Sequence, residues 1–143
     1  MKSMLNTSAT KHGLRTKKIE IEEIRTKPYP VENLKVDIGR GYLHSLNAYS
    51  STEYSSVVLD IAISFAREIS KFKSVLFLID WSPTYSFSDP NIKQYLDYLQ
   101  SSQCHFQTVF VSHNERSDLD WSGWVIAKMI EENGEIKVIQ DKK

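Results

Sequence analysis

Two patterns of apolar residues recur along this chain of 143 residues. Strict alternation of apolar and polar side chains over residues 17–25 and 34–38 predicts two half-exposed strands. A run of five apolar residues within 74–80 instead predicts a strand that is buried on both faces of a sheet, and residues 106–111, which are mostly apolar towards their end, predict another strand. A last alternating segment, 135–140, predicts a strand at the edge of a sheet. The chain is therefore expected to have exposed strands near its two ends and buried strands between them.

Between these strands, apolar residues at steps of three and four predict three helices. The first is capped at residue 51 or 52, and its apolar stripe is expected to pack on the sheet. That stripe consists of Val58, Ile61, Ala62, Phe65, Ile69 and Phe72. The second starts at Asp89-Pro90, a cap followed by a proline at the first helical position. The third starts at Ser117 or Asp118 and ends at Asn133-Gly134.

The resulting order, β-β-α-β-α-β-α-β, predicts an α/β fold. Repeated strand–helix–strand units favour a largely parallel central sheet covered by helices, with the first two strands as an antiparallel pair at one side. The length fits one domain that can bury a core of its own. We therefore predict a single α/β domain over residues 17–143, preceded by a flexible basic arm over residues 1–16.

The charges of the chain balance overall but are unevenly distributed. There are 18 basic and 18 acidic residues, yet residues 1–18 hold five basic side chains and no acidic one, which leaves the remainder with a net charge of −5. Nucleic-acid binding would depend on this arm alone and is not expected. The single cysteine, Cys104, excludes an internal disulfide. No secretion signal or membrane-spanning run is present, so we expect a cytoplasmic protein without membrane contact.

Polar residues follow both apolar strands, where parallel sheets tend to bind their ligands. Asp80 ends the first strand and His113 follows the second, and an imidazole beside a carboxylate can act as a general base. A small hydrolase using Asp80 and His113 is therefore one hypothesis. However, the chain has no G-x-S-x-G elbow, no glycine-rich phosphate loop and no H-E-x-x-H pair. A non-enzymatic role is thus favoured, with no cofactor and no metal site.

The same edge combines acidic and aromatic residues, which is typical of protein-binding surfaces. The residues expected to bind a partner are Asp80, Trp81, Tyr85, Phe87, Glu115 and Asp118. An acidic surface attracts a basic partner by electrostatic steering. We therefore expect the partner to be another protein, with a basic surface favoured.

In element order, residues 17–140 resemble the STAS domains of the anti-sigma-factor-antagonist family. Leu78-Ile79-Asp80-Trp81-Ser82 is similar to the end of a strand in that family, and Phe87-Ser88-Asp89-Pro90 lies where the family has its phosphoacceptor loop. The resemblance implies a regulator that acts by binding partners, with Ser86 or Ser88 as the phosphoacceptor.

A shorter segment, residues 109–132, is similar to the opening of a Toll/interleukin-1 receptor domain. Val109 to His113 resembles the first strand of that domain, and Asp120-Trp121 and Trp124-Val125 resemble its first helix. Most of that fold is absent from this chain. The function predicted from the sequence is therefore a non-enzymatic protein-binding regulator, either STAS-like or an immunity-type inhibitor that acts as an antitoxin.

Overall fold

The computed structural model describes residues 13–24, 31–80, 87, 89–112 and 119–140. These residues form seven strands, two α-helices and a short 3-10 helix over Leu46–Ala48. In chain order, the strands and α-helices are β1 Lys18–Ile24, β2 Val31–Asp37, β3 His44–Ser45, α1 Ser51–Ser70, β4 Leu76–Asp80, α2 Asp89–Gln100, β5 Gln107–Val111, β6 Ala127–Glu132 and β7 Glu135–Gln140. Neither helix in this described part is long and apolar enough to cross a membrane.

The antiparallel pair predicted at the start of the chain is present. β1 pairs with β2 from Lys18 opposite Asp37 onwards, and β3 adds a short third strand. Ile19 lies opposite Val36, and both side chains are buried against Val57 of α1. The apolar side of the alternation thus forms a small core with the helix, while the charged side faces water.

The central unit is β4–α2–β5, in which the two strands are parallel. Their register places Leu76 opposite Gln107 and Asp80 opposite Val111. Ile79 packs in one core with residues of both helices. The buried residues of this core are Leu59, Ile63, Ile79, Phe87, Ile92, Tyr95, Leu96, Leu99 and Leu119. Both helices therefore pack on the same face of this two-stranded sheet, the face that carries Ile79.

The prediction of a largely parallel central sheet covered by helices is wrong. The described strands form three separate sheets, and only the β4–β5 pair is parallel. The apolar run of β4 is also not buried on both faces, since Leu76 is 64% exposed and Leu78 is 63% exposed. Alternate side chains of a strand point to opposite faces, so the face that carries these leucines has no cover among the described residues.

The predicted third helix is likewise absent from the described residues. The segment after residue 118 passes through turns and then forms β6, which pairs with β7 in an antiparallel hairpin. Asn133 and Gly134 connect the strands with φ angles of 57° and 79°. Two successive residues with positive φ form the hairpin turn whose twist matches that of the strands. The asparagine–glycine pair therefore marks a reversal of the chain and not the end of a helix.

Helix α1 lies where it was predicted, but its orientation differs from the prediction. Ser50 caps it and, with Glu53, forms a capping box. The buried positions of α1 are Ser56, Val57, Leu59, Asp60, Ile63, Ser64 and Ala66. The predicted apolar stripe lies on the opposite side, where Val58 and Ile69 are exposed. Phe72, which extends the stripe just beyond the helix, is 84% exposed.

Candidate functional site

The carboxyl-terminal edge of the β4–β5 sheet holds one of the predicted site residues in a described position. Asp80 is the last residue of β4, lies opposite Val111 at the end of β5, and is exposed. Strand alternation puts Asp80 on the same face as Leu76 and Leu78. The carboxylate therefore lies at one end of an exposed apolar strip.

The other residues predicted for this edge are placed differently or lie outside the described part. Phe87 is only 5% exposed and contacts the ring of Tyr95 at 5.7 Å between centroids, so its side chain belongs to the core and not to an exposed rim. The predicted residues outside the described part are Trp81, Tyr85, Ser86, Ser88, His113, Glu115 and Asp118. Their roles in binding, catalysis or phosphorylation remain predictions.

Within the described residues, no group of three or more histidine, cysteine, aspartate or glutamate side chains is arranged to hold a metal ion. A cation at Asp80 would therefore need further ligands from outside the described residues of this chain. Mg²⁺ is commonly bound in this way, by one or two carboxylates together with substrate phosphates and water. The Asp80 carboxylate lies at the end of a strand, where it can meet a ligand that approaches the edge of the sheet.

A second carboxylate, Asp60 of α1, was not identified from the sequence and is built into the core. It is 2% exposed and accepts four hydrogen bonds. Oδ1 accepts from the Leu14 amide and the Tyr95 hydroxyl, both at 3.0 Å. Oδ2 accepts from the amides of Arg15 at 2.9 Å and Thr16 at 2.8 Å. The carboxylate thus fixes the segment before β1 against both helices.

The Asp60 cluster is structural in character. Burial, together with the negative charge of Asp60, raises the pKa of the Tyr95 hydroxyl well above its usual range. That hydroxyl also donates towards the carbonyl of Ser56, at 3.1 Å. The Tyr95 hydroxyl stays protonated, and hydrogen-bond donors surround both oxygens of the Asp60 carboxylate. Neither group therefore has a free position for a substrate. The sequence signal for this cluster is a polar stripe, Ser56, Asp60 and Ser64, at steps of four.

A third polar cluster joins the turn after β2 to the first turn of α1. The Asp37 carboxylate accepts hydrogen bonds from the amides of Gly39, Arg40 and Gly41, which fixes the turn after β2. Arg40 pairs with Glu53 of the capping box. The Ser50 amide and the Arg40 guanidinium hold the pKa of the Glu53 carboxyl below its usual range. This acidic side chain already occupies the first turn of α1, so the cluster serves to anchor the helix.

No protein-family model and no curated protein sequence matches this chain. Three similar solved structures are all of SMC ATPase heads, each 17% identical to this chain. The first comes from work on ATP-driven dimerization and DNA-stimulated activation of SMC ATPases. Its match covers 98% of this chain and 84% of the chain in that structure, with a TM-score of 0.67. The second is an SMC head bound to the C-terminal winged-helix domain of ScpA, with a TM-score of 0.64 over 97% of this chain. The third, an SMC head with an extended coiled coil bound to the C-terminal domain of ScpA from Pyrococcus furiosus, has a TM-score of 0.62 over 97% of this chain.

At this identity the likeness concerns the fold alone, which is similar to part of an SMC ATPase head. The STAS and Toll/interleukin-1 receptor resemblances are therefore wrong. The predicted functions, a STAS-like regulator or an immunity-type inhibitor acting as an antitoxin, are wrong as well. Short strand–helix patterns occur in many α/β folds, which is why they matched. This chain spans 41% and 34% of the two head chains bound to ScpA, so those proteins extend well beyond the region that it matches.

Proposed function

We propose that this chain is one lobe of an ATPase head of the SMC type and contributes Asp80 to a site for Mg²⁺ and ATP. The observation that carries this proposal is the exposed carboxylate at the end of a parallel strand, in a fold similar to SMC ATPase heads. The step from fold to function is an analogy, and Asp80 is the residue on which it depends.

The chemistry required of Asp80 is that of a metal-binding carboxylate. In nucleoside triphosphatases with a phosphate-binding loop, an aspartate of this kind helps to hold the Mg²⁺ that bridges the β- and γ-phosphates. Such an aspartate must end a rigid strand, so that its carboxylate stays fixed relative to the phosphates. Asp80 meets this requirement because β4 is paired with β5 along its whole length.

The phosphate-binding loop of such a site must come from outside this sequence. No G-x-x-x-x-G-K-S/T segment occurs anywhere in the 143 residues. Such a segment normally surrounds the phosphates with backbone amides and a lysine. We therefore propose that the complete site forms between this lobe and a polypeptide segment that supplies the loop. Two of the similar SMC heads are bound to ScpA, which supports a protein partner for this chain as well.

The test is ATP hydrolysis by the native assembly, recovered through a tag on this chain, with and without Mg²⁺. We expect Asp80→Asn to lower the rate by about a hundredfold or more, because the neutral amide is a weak ligand for the cation. Asp97→Asn is the matched control, since Asp97 is an exposed acid of α2 that pairs only with Lys93 among the described residues. Wild-type hydrolysis in the Asp80→Asn assembly, or no Mg²⁺-dependent hydrolysis in the wild-type assembly, would refute the proposal.

A further inference from the structure

The segment that leads into β1 contacts both helices. Its residues Leu14, Arg15 and Thr16 are defined here as the entry segment. Their three backbone amides bind the buried Asp60 carboxylate of α1. The Arg15 side chain adds a contact to the second helix, because its Nη2 donates a hydrogen bond to Oδ1 of Asn91 in the first turn of α2. The entry segment thus connects α1 to the start of α2.

The first turn of α2 is in turn connected to the end of β4 through buried side chains. Ile92 follows Asn91 and belongs to the same buried core as Ile79. Ile79 directly precedes Asp80, the last residue of β4. A close-packed core has few voids, so a displacement of one side chain is transmitted to its neighbours. A shift of the first turn of α2 therefore reaches the backbone that carries the Asp80 carboxylate.

The Arg15 side chain is not needed to hold the entry segment itself, which three amides already fix to Asp60. What its contact adds is a constraint on α2. The same helix is held one turn later by Tyr95, whose hydroxyl donates to Asp60 within the buried core. The contact between Arg15 and Asn91 is only partly buried. It can therefore be removed without opening the core, which separates the placement of α2 from the stability of the fold.

We propose that Arg15 is a positioning residue for Asp80, which acts by fixing the first turn of α2 through Asn91. This inference rests on the proposed function of Asp80 and adds a residue from a distant part of the sequence to the same site. Loss of a residue that orients a metal ligand commonly lowers metal affinity by about 10–100-fold. Because Arg15 acts through Asn91 and the core, we expect a smaller effect, a rise of about three- to tenfold in the Mg²⁺ requirement.

Hydrogen exchange of the full chain tests the placement of α2. Arg15→Met removes the donor and keeps a long side chain, and Lys17→Met is the matched control, since it removes an exposed cation next to the entry segment. The amides of residues 93–95 bond to the first carbonyls of α2. We expect these amides to exchange about three- to tenfold faster in Arg15→Met and at the wild-type rate in Lys17→Met. Unchanged exchange in Arg15→Met, or the same acceleration in both variants, would overturn the inference.

ATP hydrolysis by the native assembly tests the effect on the site. In Arg15→Met, the Mg²⁺ concentration that gives half the maximal rate should rise by about three- to tenfold. A merely structural role would reduce the amount of folded assembly and hence the rate, but it would not alter this concentration. Asn91→Ala should produce the same shift, and the double variant should add nothing, because both substitutions remove one contact. An unaltered Mg²⁺ requirement, or additive shifts, would contradict the positioning role.

The outcomes separate this inference from the proposed function. If Asp80→Asn abolishes hydrolysis while Arg15→Met has the Mg²⁺ requirement and the exchange rates of the wild type, the role of Asp80 stands and the positioning role of Arg15 fails. If Asp80→Asn leaves hydrolysis unchanged while residues 93–95 exchange faster in Arg15→Met, the role of Asp80 fails and the placement of α2 by Arg15 stands.

Discussion

Replacing Asp60 with asparagine changes only one charge and one acceptor, yet it should lower the stability of the whole fold. In the structure, each carboxylate oxygen accepts two hydrogen bonds, and all four donors come from residues far away in the sequence or from α2. An asparagine side chain has a single acceptor oxygen, and its NH₂ group can only donate. In either rotation of the asparagine side chain, its NH₂ group therefore faces at least one backbone N–H. Two donors then meet, and no hydrogen bond forms between them.

The rotation with the smaller free-energy cost places the NH₂ group at the position of Oδ1. The Tyr95 hydroxyl can then accept from it and keep its bond to the Ser56 carbonyl, so the unmatched donor is the Leu14 amide. Because this donor is only partly buried, leaving it unmatched should lower the free energy of unfolding by about 1 kcal/mol, the low end of the range for an unsatisfied donor. Asp60→Ala removes the acceptor from Leu14, Arg15 and Thr16 together. Because the first two are only partly buried and can bind water, we expect a loss of about 3–5 kcal/mol.

Urea unfolding followed by tryptophan fluorescence measures both values. Hydrogen exchange localises the effect, since the Leu14 amide should lose its protection in both variants and the Thr16 amide in Asp60→Ala, before the β1–β2 pair does. Asp97→Asn is the control: its pair with Lys93 is exposed and spans one helical turn, so the change should stay within about 0.5 kcal/mol. The interpretation of the cluster is refuted if Asp60→Asn is as stable as this control, or if exchange at Thr16 is unaltered in Asp60→Ala.

Two further predictions follow from the geometry of the helix cap and the hairpin. The folded pKa of Glu53 is lowered by the Ser50 amide and by Arg40, so its contribution to stability is present above the ordinary pKa of glutamate and is lost as the pH falls through the folded value. The free energy of unfolding, measured from about pH 7 to about pH 3, should show this loss in the wild type but not in Glu53→Gln. If the two proteins lose stability in parallel as the pH falls, Glu53 makes no such contribution. At Gly134, where φ is 79° and a methyl group would meet nothing within 4 Å, alanine should cost about 1 kcal/mol from the backbone alone. Faster amide exchange across residues 127–140 would report this cost, and unchanged exchange would exclude it.

The strands at the two ends of the chain show which local sequence signals are sufficient to predict how strands pair. The alternation over β1 and β2 predicts the antiparallel pair because each strand has one apolar side, which α1 covers. The same period is present in β6 and β7, but Trp121, Val125 and Met129 also match helical spacing. The deciding signal is the asparagine–glycine pair at 133–134, since two residues with positive φ fit a two-residue hairpin and fix its register.

Helix α1 shows where local signals fail. Its limits follow from the capping box, but its buried side carries Ser56, Asp60 and Ser64, which normally indicate a solvent-facing surface. The serines satisfy their hydroxyls on the helix itself, with Ser56 bonded to the Thr52 carbonyl at 2.8 Å and Ser64 to that of Asp60 at 2.7 Å. Asp60 depends on amides more than forty residues away in the sequence. No window of the sequence contains both the helix and those donors, so its orientation could not be predicted.

The error concerning β4 has a different origin. An apolar run indicates which side chains avoid water, but it does not indicate which polypeptide covers them. Ile79 is covered by the helices of this chain, whereas Leu76 and Leu78 of the same strand are not. The apolar run therefore predicts the strand, whereas the cover of each of its faces is decided by packing against residues far away in the sequence.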